Sequence, residues 1–228
     1  MKRISVLLAE DHQIVREGFR SLLKHEPDIE VIAEAADGRQ AVQLTRKLRP
    51  EVVVMDIAMP RLNGLEASRQ IRKEFPDTRV LFLSAHSDDA YVEQVAVLGA
   101  TGFLLKQTSS ENLATAIREV KKGNRFFSHS ISKRIQDRSR NSAARGESSK
   151  SSNKKHNQLS SREMEVLQLI AEGKPNKQVA AELGVSFKTV DKHRQHLMSK
   201  LDIHDVSGLT RYAIAEGIIE STVRVRIT

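Results

Sequence analysis

The sequence predicts an α/β fold with a doubly wound, five-stranded parallel sheet, followed by an all-α part of four helices. Over residues 1–122, five short apolar runs alternate with five amphipathic stretches, as in parallel strands joined by right-handed crossovers. The apolar runs are continuous rather than alternating, which is typical of strands buried on both faces. From residue 159 onward, apolar residues recur with the period of a helix.

The first part of the chain divides into elements at proline, glycine and capping residues. Strands are predicted at residues 4–9, 29–35, 52–56, 79–84 and 101–105. Helices are predicted between residues 11 and 27 and at 38–48, 64–75, 88–98 and 110–122, with Ser110 as the cap of the last. The first helix has one predicted apolar face, formed by Ile14, Val15, Phe19, Leu22 and Leu23. The strand order 2-1-3-4-5 places strands 1 and 3 side by side.

Asp56 ends the most apolar of the predicted strands. It is either a turn or capping residue, or a functional group at the carboxyl edge, where open α/β sheets hold their sites. Polar groups at three other strand ends favour the functional interpretation; they are Glu10-Asp11, Ser84 and Lys106.

Adjacent strands 1 and 3 would bring Glu10, Asp11 and Asp56 into one crevice. Carboxylates this close repel each other unless a cation is present. Hard oxygen ligands suit Mg²⁺, and the backbone carbonyl of Ala58 is a further candidate ligand. The sequence therefore predicts a magnesium site at this edge.

The composition limits the class of protein. The 228 residues suffice for one large domain or two small ones, and the absence of Cys excludes disulfides and thiolate metal sites. No apolar run approaches the ~18 residues of a membrane span, and no long apolar leader is present. We therefore expect a soluble, cytoplasmic protein.

The net charge of +8 is concentrated in the middle of the chain. Residues 1–122 carry 18 basic and 18 acidic residues, residues 123–158 carry 9 and 2, and residues 159–228 carry 10 and 9. We interpret the middle segment as a linker that begins with a short ordered piece over residues 123–135, including Phe126 and Phe127. Residues 136–157 are rich in Ser, Arg, Lys and Asn, so we expect them to be disordered and to attract polyanions weakly. A tether without a binding role is the simpler alternative.

Residues 1–122 resemble the receiver domain of bacterial two-component response regulators. The matching residues are Glu10-Asp11, the run Asp56-Ile-Ala-Met-Pro60, Gly64, Ser84 and Lys106. The resemblance implies that Asp56 accepts a phosphoryl group from a sensor histidine kinase, and that Glu10 and Asp11 hold Mg²⁺.

The same resemblance implies that Ser84 hydrogen-bonds the phosphoryl group and that Lys106 pairs with it. Phe103 stands where the family has its switch aromatic. Ser84 replaces the commoner Thr but keeps the hydroxyl, and Gln107 stands where many receivers have Pro.

Residues 159–219 are predicted to form four helices that include a helix-turn-helix. A capping box of Ser160 and Glu163 begins the first helix, which runs to about residue 173. The second helix is predicted at 176–183, the third at 187–201 after its cap Ser186, and the fourth at about 206–216.

The third helix has two faces at 100° per residue. Its apolar side carries Val190, Leu197 and Leu201, and its polar side carries Lys188, Asp191, Lys192, Gln195 and Ser199. A polar face is often only solvated, but the preceding helix-turn makes this one a candidate for reading the major groove. The base-facing candidates are Lys188, Asp191, Lys192 and Gln195, and the DNA-backbone candidates are Lys177, Thr189 and His193.

This second part resembles the LuxR-type DNA-binding domain, and the whole chain resembles the NarL/FixJ family of response regulators. The matching residues include Leu159-Ser-Ser-Arg-Glu163, Val166-Leu167, Asn176-Lys177, Val179-Ala180, Val185-Ser186, Thr189-Val190, His193, Lys200-Leu201 and Gly217-Ile218-Ile219. The resemblance implies that the third helix enters the major groove of double-stranded DNA and that the fourth helps to form a homodimer. Pro175 replaces the usual Ser or Thr, and Asp191 replaces a common Lys.

The sequence therefore predicts a two-component transcription regulator rather than an enzyme, with a receiver at 1–122, a linker at 123–158 and a DNA-binding domain at 159–228. The only catalysis that this prediction allows is the receiver's own phosphorylation and dephosphorylation. One alternative is an enzyme of the haloacid dehalogenase type, which would need a second Asp two residues after Asp56, where Ala58 stands. Another is an atypical receiver that binds DNA without phosphorylation, against which the complete acidic set argues.

Overall fold

The structure, a computed structural model, describes residues 2–85, 95, 101–127 and 159–219. The chain divides into two compact units, residues 1–148 and 149–228, and the boundary falls inside the predicted linker. Most of that linker, the tail after residue 219 and the helix predicted at 88–98 lie outside the described residues, although Val95 itself is helical and buried. Across the described residues, no helix combines the length and apolar character needed to cross a membrane.

The first unit is a parallel sheet with helices on both faces. Its strands are β1 Ile4–Ala9, β2 Ile29–Ala35, β3 Val52–Asp56, β4 Arg79–Ser84, β5 Gly102–Leu105 and β6 Phe126–Phe127. The helices with described bounds are α1 Gln13–Lys24, α2 Gly38–Leu48, α3 Gly64–Glu74 and α4 Ser110–Lys121. The strand order is β2-β1-β3-β4-β5-β6, which confirms the predicted order and adds a sixth strand at the edge.

The sixth strand is short and apolar. Phe126 pairs with Gly102 and Phe127 pairs with Phe103, both in parallel register. The two rings pack on opposite faces of the sheet, since successive side chains of a strand alternate. The segment after α4 therefore extends the sheet before the predicted linker continues.

Two hydrophobic layers enclose the sheet. One layer contains residues of α2 and α3 with Met55, Phe82 and Phe103 of the strands. The other contains residues of α1 and α4 with Val54, Leu81 and Leu104. Neighbouring strand residues thus face opposite layers, which explains why the strands are apolar without interruption.

Two local predictions for the helices were wrong. The first turn of α4 is capped by Ser109, whose side chain accepts a hydrogen bond from the Asn112 backbone N–H, rather than by Ser110. On α1, Phe19 and Leu23 are buried, but Ile14 is 85% exposed and Leu22 39% exposed. Period alone places these residues near one side of the helix, whereas the neighbouring elements cover only part of that side.

The loop after β3 returns closely on the strand. The Gly64 N–H donates to the Ile57 carbonyl at 2.8 Å, and Asn63 caps α3 by accepting from the Glu66 N–H. A Cβ on Gly64 would lie 1.9 Å from the carbonyl oxygen of Asp56. The start of α3 can therefore approach the end of β3 only without a side chain at this position.

We expect Gly64→Ala to destabilise the first unit by roughly 1–3 kcal/mol, because the added methyl overlaps the Asp56 backbone. The matched control is Gly18→Ala in α1, where an added Cβ meets no atom within 4 Å. That change should be neutral or stabilising by about 0.5–1 kcal/mol. Urea denaturation of both variants measures the difference, and an equal effect on stability would contradict this account of the loop.

Over its described residues, 159–219, the second unit contains four helices around one core. They are α5 Ser161–Ala171, α6 Asn176–Leu183, α7 Phe187–Leu201 and α8 Val206–Ala215. The core is formed by Val166, Leu167, Val179, Val190, Leu197, Leu201 and Leu209 with their neighbours. The four predicted helices are therefore present within one residue of their predicted bounds, apart from the end of α5, which lies two residues before its predicted end.

Capping residues set the ends of these helices. Ser160 and Glu163 form the predicted capping box, and Glu163 also accepts from Lys200 Nζ of α7 at 2.7 Å. Gly184 adopts the left-handed conformation, with φ 61°, between α6 and α7. Pro175 stands at the N-cap of α6 and makes no side-chain cap hydrogen bond, since proline lacks the hydroxyl of the usual Ser or Thr.

Candidate functional site

The carboxyl edge of the sheet brings three predicted residues into contact. Ala9 of β1 pairs with Met55 of β3. The next residue after each of them is an acid, so Glu10 and Asp56 lie side by side. Lys106, which follows β5, places its Nζ 2.8 Å from Glu10 Oε2 and 2.9 Å from Asp56 Oδ2. One ammonium group therefore bridges two carboxylates.

Burial changes the acid–base properties of this group. Glu10 and Asp56 are 2% and 3% exposed. Burial, and next the neighbouring Glu10 carboxylate, raises the pKa of Asp56 to about 7, although Lys106 acts in the opposite direction. Burial alone would lower the pKa of Lys106, but the charges of Asp56 and Glu10 hold it above its ordinary value. The pocket thus contains more negative charge than one lysine offsets.

The donor set fits a divalent cation. One ligand atom from each of Glu10, Asp11, His12 and Asp56 lies within 4.8 Å of the others. Glu10 Oε2 and Asp11 Oδ1 are buried and accept no well-directed hydrogen bond in the described residues, although the first has Lys106 and the second His12 at ion-pair distance. Carboxylate oxygens clustered this closely are suitable ligands for Mg²⁺.

His12 is the member of this group that the sequence reasoning missed. Its Nδ1 lies 2.9 Å from Asp11 Oδ1 and 3.2 Å from Glu10 Oε1. The Asp11 carboxylate is the main cause that raises the pKa of His12. The sequence feature that could have identified His12 is its position directly after Glu10 and Asp11.

The remaining predicted pocket residues lie at neighbouring strand ends. Ser84 is buried at the end of β4, one residue beyond Leu83, the partner of Asp56 in the sheet. Ala58 is half-buried in the loop after β3. Phe103 is fully buried in β5 beside Phe82. The Lys106–Gln107 bond is trans, like the other peptide bonds of the described residues.

The third helix of the second unit, α7, presents the predicted polar face. Lys188, Lys192 and Gln195 are exposed, and Asp191 is half-buried. Gln195 Nε2 donates to Asp191 Oδ2 at 3.2 Å, so two of the four base-facing candidates hydrogen-bond to each other.

The three DNA-backbone candidates have different surroundings. Lys177 is exposed at the start of α6, and His193 is half-buried on α7. Thr189 is half-buried, and its hydroxyl shares a 2.8 Å hydrogen bond with that of the cap residue Ser186. Its side chain is therefore held at the first turn of α7, where helix N–H groups attract phosphate.

The fold and the two sites define an α/β unit with a buried acidic pocket and a second unit that contains a helix-turn-helix. Residues 6–118 match the response regulator receiver domain, and residues 157–213 match the bacterial regulatory proteins of the luxR family. The chain belongs to the response regulators that combine a receiver with a LuxR-type DNA-binding domain.

Relatives over nearly the whole length support the assignment. The transcriptional regulatory protein LiaR of Bacillus subtilis is 40% identical over 92% of this chain and 96% of its own. The oxygen regulatory protein NreC of Staphylococcus epidermidis is 37% identical over 95% of this chain and 100% of its own. Among solved structures, the response regulator RcsB in complex with DNA is 27% identical, covers 92% of this chain and 98% of its own, and has a TM-score of 0.55.

We expect Lys106→Met to destabilise the first unit by about 3–5 kcal/mol without added Mg²⁺, because two buried carboxylates lose their cation. Asp56→Asn in the same chain should restore a large part of this loss by removing one charge. The control is Lys122→Met, an exposed lysine paired with Glu119, whose removal should change stability by under about 1 kcal/mol. Chemical denaturation tests the series, and the same stability for the single and double variants would refute the charge argument.

Proposed function

We propose that a sensor histidine kinase transfers a phosphoryl group to Asp56, and that this modification controls dimerisation and sequence-specific DNA binding to regulate transcription. The observation that carries the proposal is the buried Asp56 carboxylate, which shares one pocket with Glu10 and Asp11 and contacts Lys106. A site used only as a turn or cap would not need to hold several charges in a buried position.

The transfer requires little from the protein beyond position and charge. An Asp56 oxygen attacks phosphorus as the bond from phosphorus to the donor's histidine nitrogen breaks, which leaves an acyl phosphate. Lys106 then neutralises charge on the phosphoryl oxygens. Glu10, Asp11, Asp56 and the Ala58 carbonyl would hold Mg²⁺, which supplies further neutralisation.

The phosphoryl group would then act through Ser84 and Phe103. A ligand shifts a conformational equilibrium only by binding one state better than the other. In this proposal the Ser84 hydroxyl donates to the phosphoryl group in the active state alone. Phe103, buried on the adjacent strand, repacks with it, and the change reaches the last strand and its flanking helices.

The proposed domains are a receiver at 1–122, a linker at 123–158 and a DNA-binding domain at 159–228. The protein acts as a regulator in the cytoplasm, where double-stranded DNA is available, rather than as an enzyme for a diffusible substrate. In the DNA-binding domain, α7 enters the major groove and α8 contributes to the homodimer.

Phosphorylation should add one phosphoryl group in a Mg²⁺-dependent reaction when the full chain is incubated with a small phosphodonor. Intact mass spectrometry of wild type and Asp56→Asn measures the incorporation. We expect the increment in wild type alone, because the amide of the variant is a poor nucleophile. Equal incorporation in both proteins would rule out Asp56 as the acceptor.

Residues that read bases and residues that contact phosphate should respond differently to mutation. The measurement is the affinity of each variant for a specific and a scrambled duplex at several salt concentrations. We expect Gln195→Ala to lose about 1–3 kcal/mol on the specific site and to relax the preference at one base pair. Lys177→Ala should weaken binding to all sequences and reduce the salt slope by about one. An unchanged preference after Gln195→Ala would show that this helix docks in a different way.

A further inference from the structure

An exposed aromatic side chain begins the helix proposed to enter DNA. Phe187 is the first residue of α7 and is 57% exposed, more than Val206 or Ile214, the other exposed large apolar residues in the described part of this unit. A phenyl ring left this far in water contributes little to folding, because it buries little apolar surface. Packing in the core of the unit therefore does not explain why an aromatic residue stands at this position.

The position of Phe187 joins it to the base-facing side of the helix. Residues four apart on a helix are neighbours, so Phe187, Asp191 and Gln195 form one stripe along α7. Lys188 and Lys192 form the adjacent stripe and are both exposed. Phe187 thus extends the set of groove-facing candidates by one turn, to the end of the helix that lies closest to the bases.

The polar residues of this stripe hydrogen-bond to each other, so an apolar contact becomes more important for reading the DNA sequence. Gln195 donates to Asp191, so each of these polar readers already uses hydrogen-bonding capacity within the protein. A carboxylate on this face also disfavours approach to phosphate. Phe187 requires no hydrogen-bond partner and can be buried against DNA without a desolvation cost of that kind.

We propose that Phe187 is a specificity-determining residue that contacts the C5-methyl group of a thymine in the major groove. The thymine methyl is the apolar feature that distinguishes this base there, and Phe is among the side chains suited to it. The inference rests on the proposed DNA-binding function and assigns part of the sequence preference to an apolar contact rather than to hydrogen bonds.

The test uses the full chain treated with a phosphodonor and Mg²⁺, and a duplex obtained by selection with the wild-type protein. Each thymine of the duplex is replaced in turn by uracil, which removes the methyl and keeps the hydrogen-bonding groups. We expect one position per half-site at which uracil weakens wild-type binding roughly four-fold, as for the burial of one methyl-sized group.

Phe187→Ala should abolish the difference between thymine and uracil at that position and relax its base preference, whereas Phe187→Leu should retain part of both. The control is Leu48→Ala, an exposed apolar residue of α2 that lies outside the proposed DNA-binding and dimer surfaces, and it should leave the thymine dependence intact. Thermal unfolding confirms that each variant keeps the wild-type stability.

The outcomes distinguish this inference from the function on which it rests. If the wild type selects no preferred duplex, the proposed function fails and this inference fails with it. If the wild type binds a preferred duplex, and uracil costs the same with Phe187→Ala as with Phe187, the function stands and the role of Phe187 is refuted.

Discussion

The structure of the first unit depends on how one lysine balances the charges of two buried carboxylates. The strand order places β1 next to β3; Glu10 directly follows β1 and Asp56 ends β3 at the same edge. Lys106 contacts Glu10, which lies 96 positions earlier in the sequence, and also contacts Asp56 at the end of β3. One ammonium cannot offset the negative charge of all the carboxylates, and the proposed magnesium site and the proposed phosphorylation of Asp56 both rest on this imbalance.

Backbone contacts hold this charged group in place. The loop after β3 approaches the strand so closely that Gly64 cannot carry a side chain, and Gly38 at the start of α2 lies equally close to the Leu62 carbonyl. Both glycines pair with backbone carbonyls through their N–H groups. Hydrogen bonds and close backbone contacts therefore fix the loop beside the strand that carries Asp56. In the second unit, the bond from Lys200 to Glu163 has the corresponding role, because it ties α7 to the capped start of α5.

The fold was largely predictable because apolar period and capping chemistry are local properties. Continuous apolar runs marked the strands, and Ser160 with Glu163 marked the start of α5. The edge strand at Phe126–Phe127 was less predictable, since two residues are too few to show a period. Ile14 on α1 shows the same limit, because period identifies a face of a helix without showing what covers it.

By itself the sequence determined where the strands end, which acids stand there, and which face of α7 is polar, since these follow from local pattern and alternation. Only the tertiary structure decided which of those groups touch. It brought Lys106 between Glu10 and Asp56, added His12 to the carboxylates and paired Asp191 with Gln195. Such contacts depend on strand order and side-chain direction in space, and no spacing along the chain reports them.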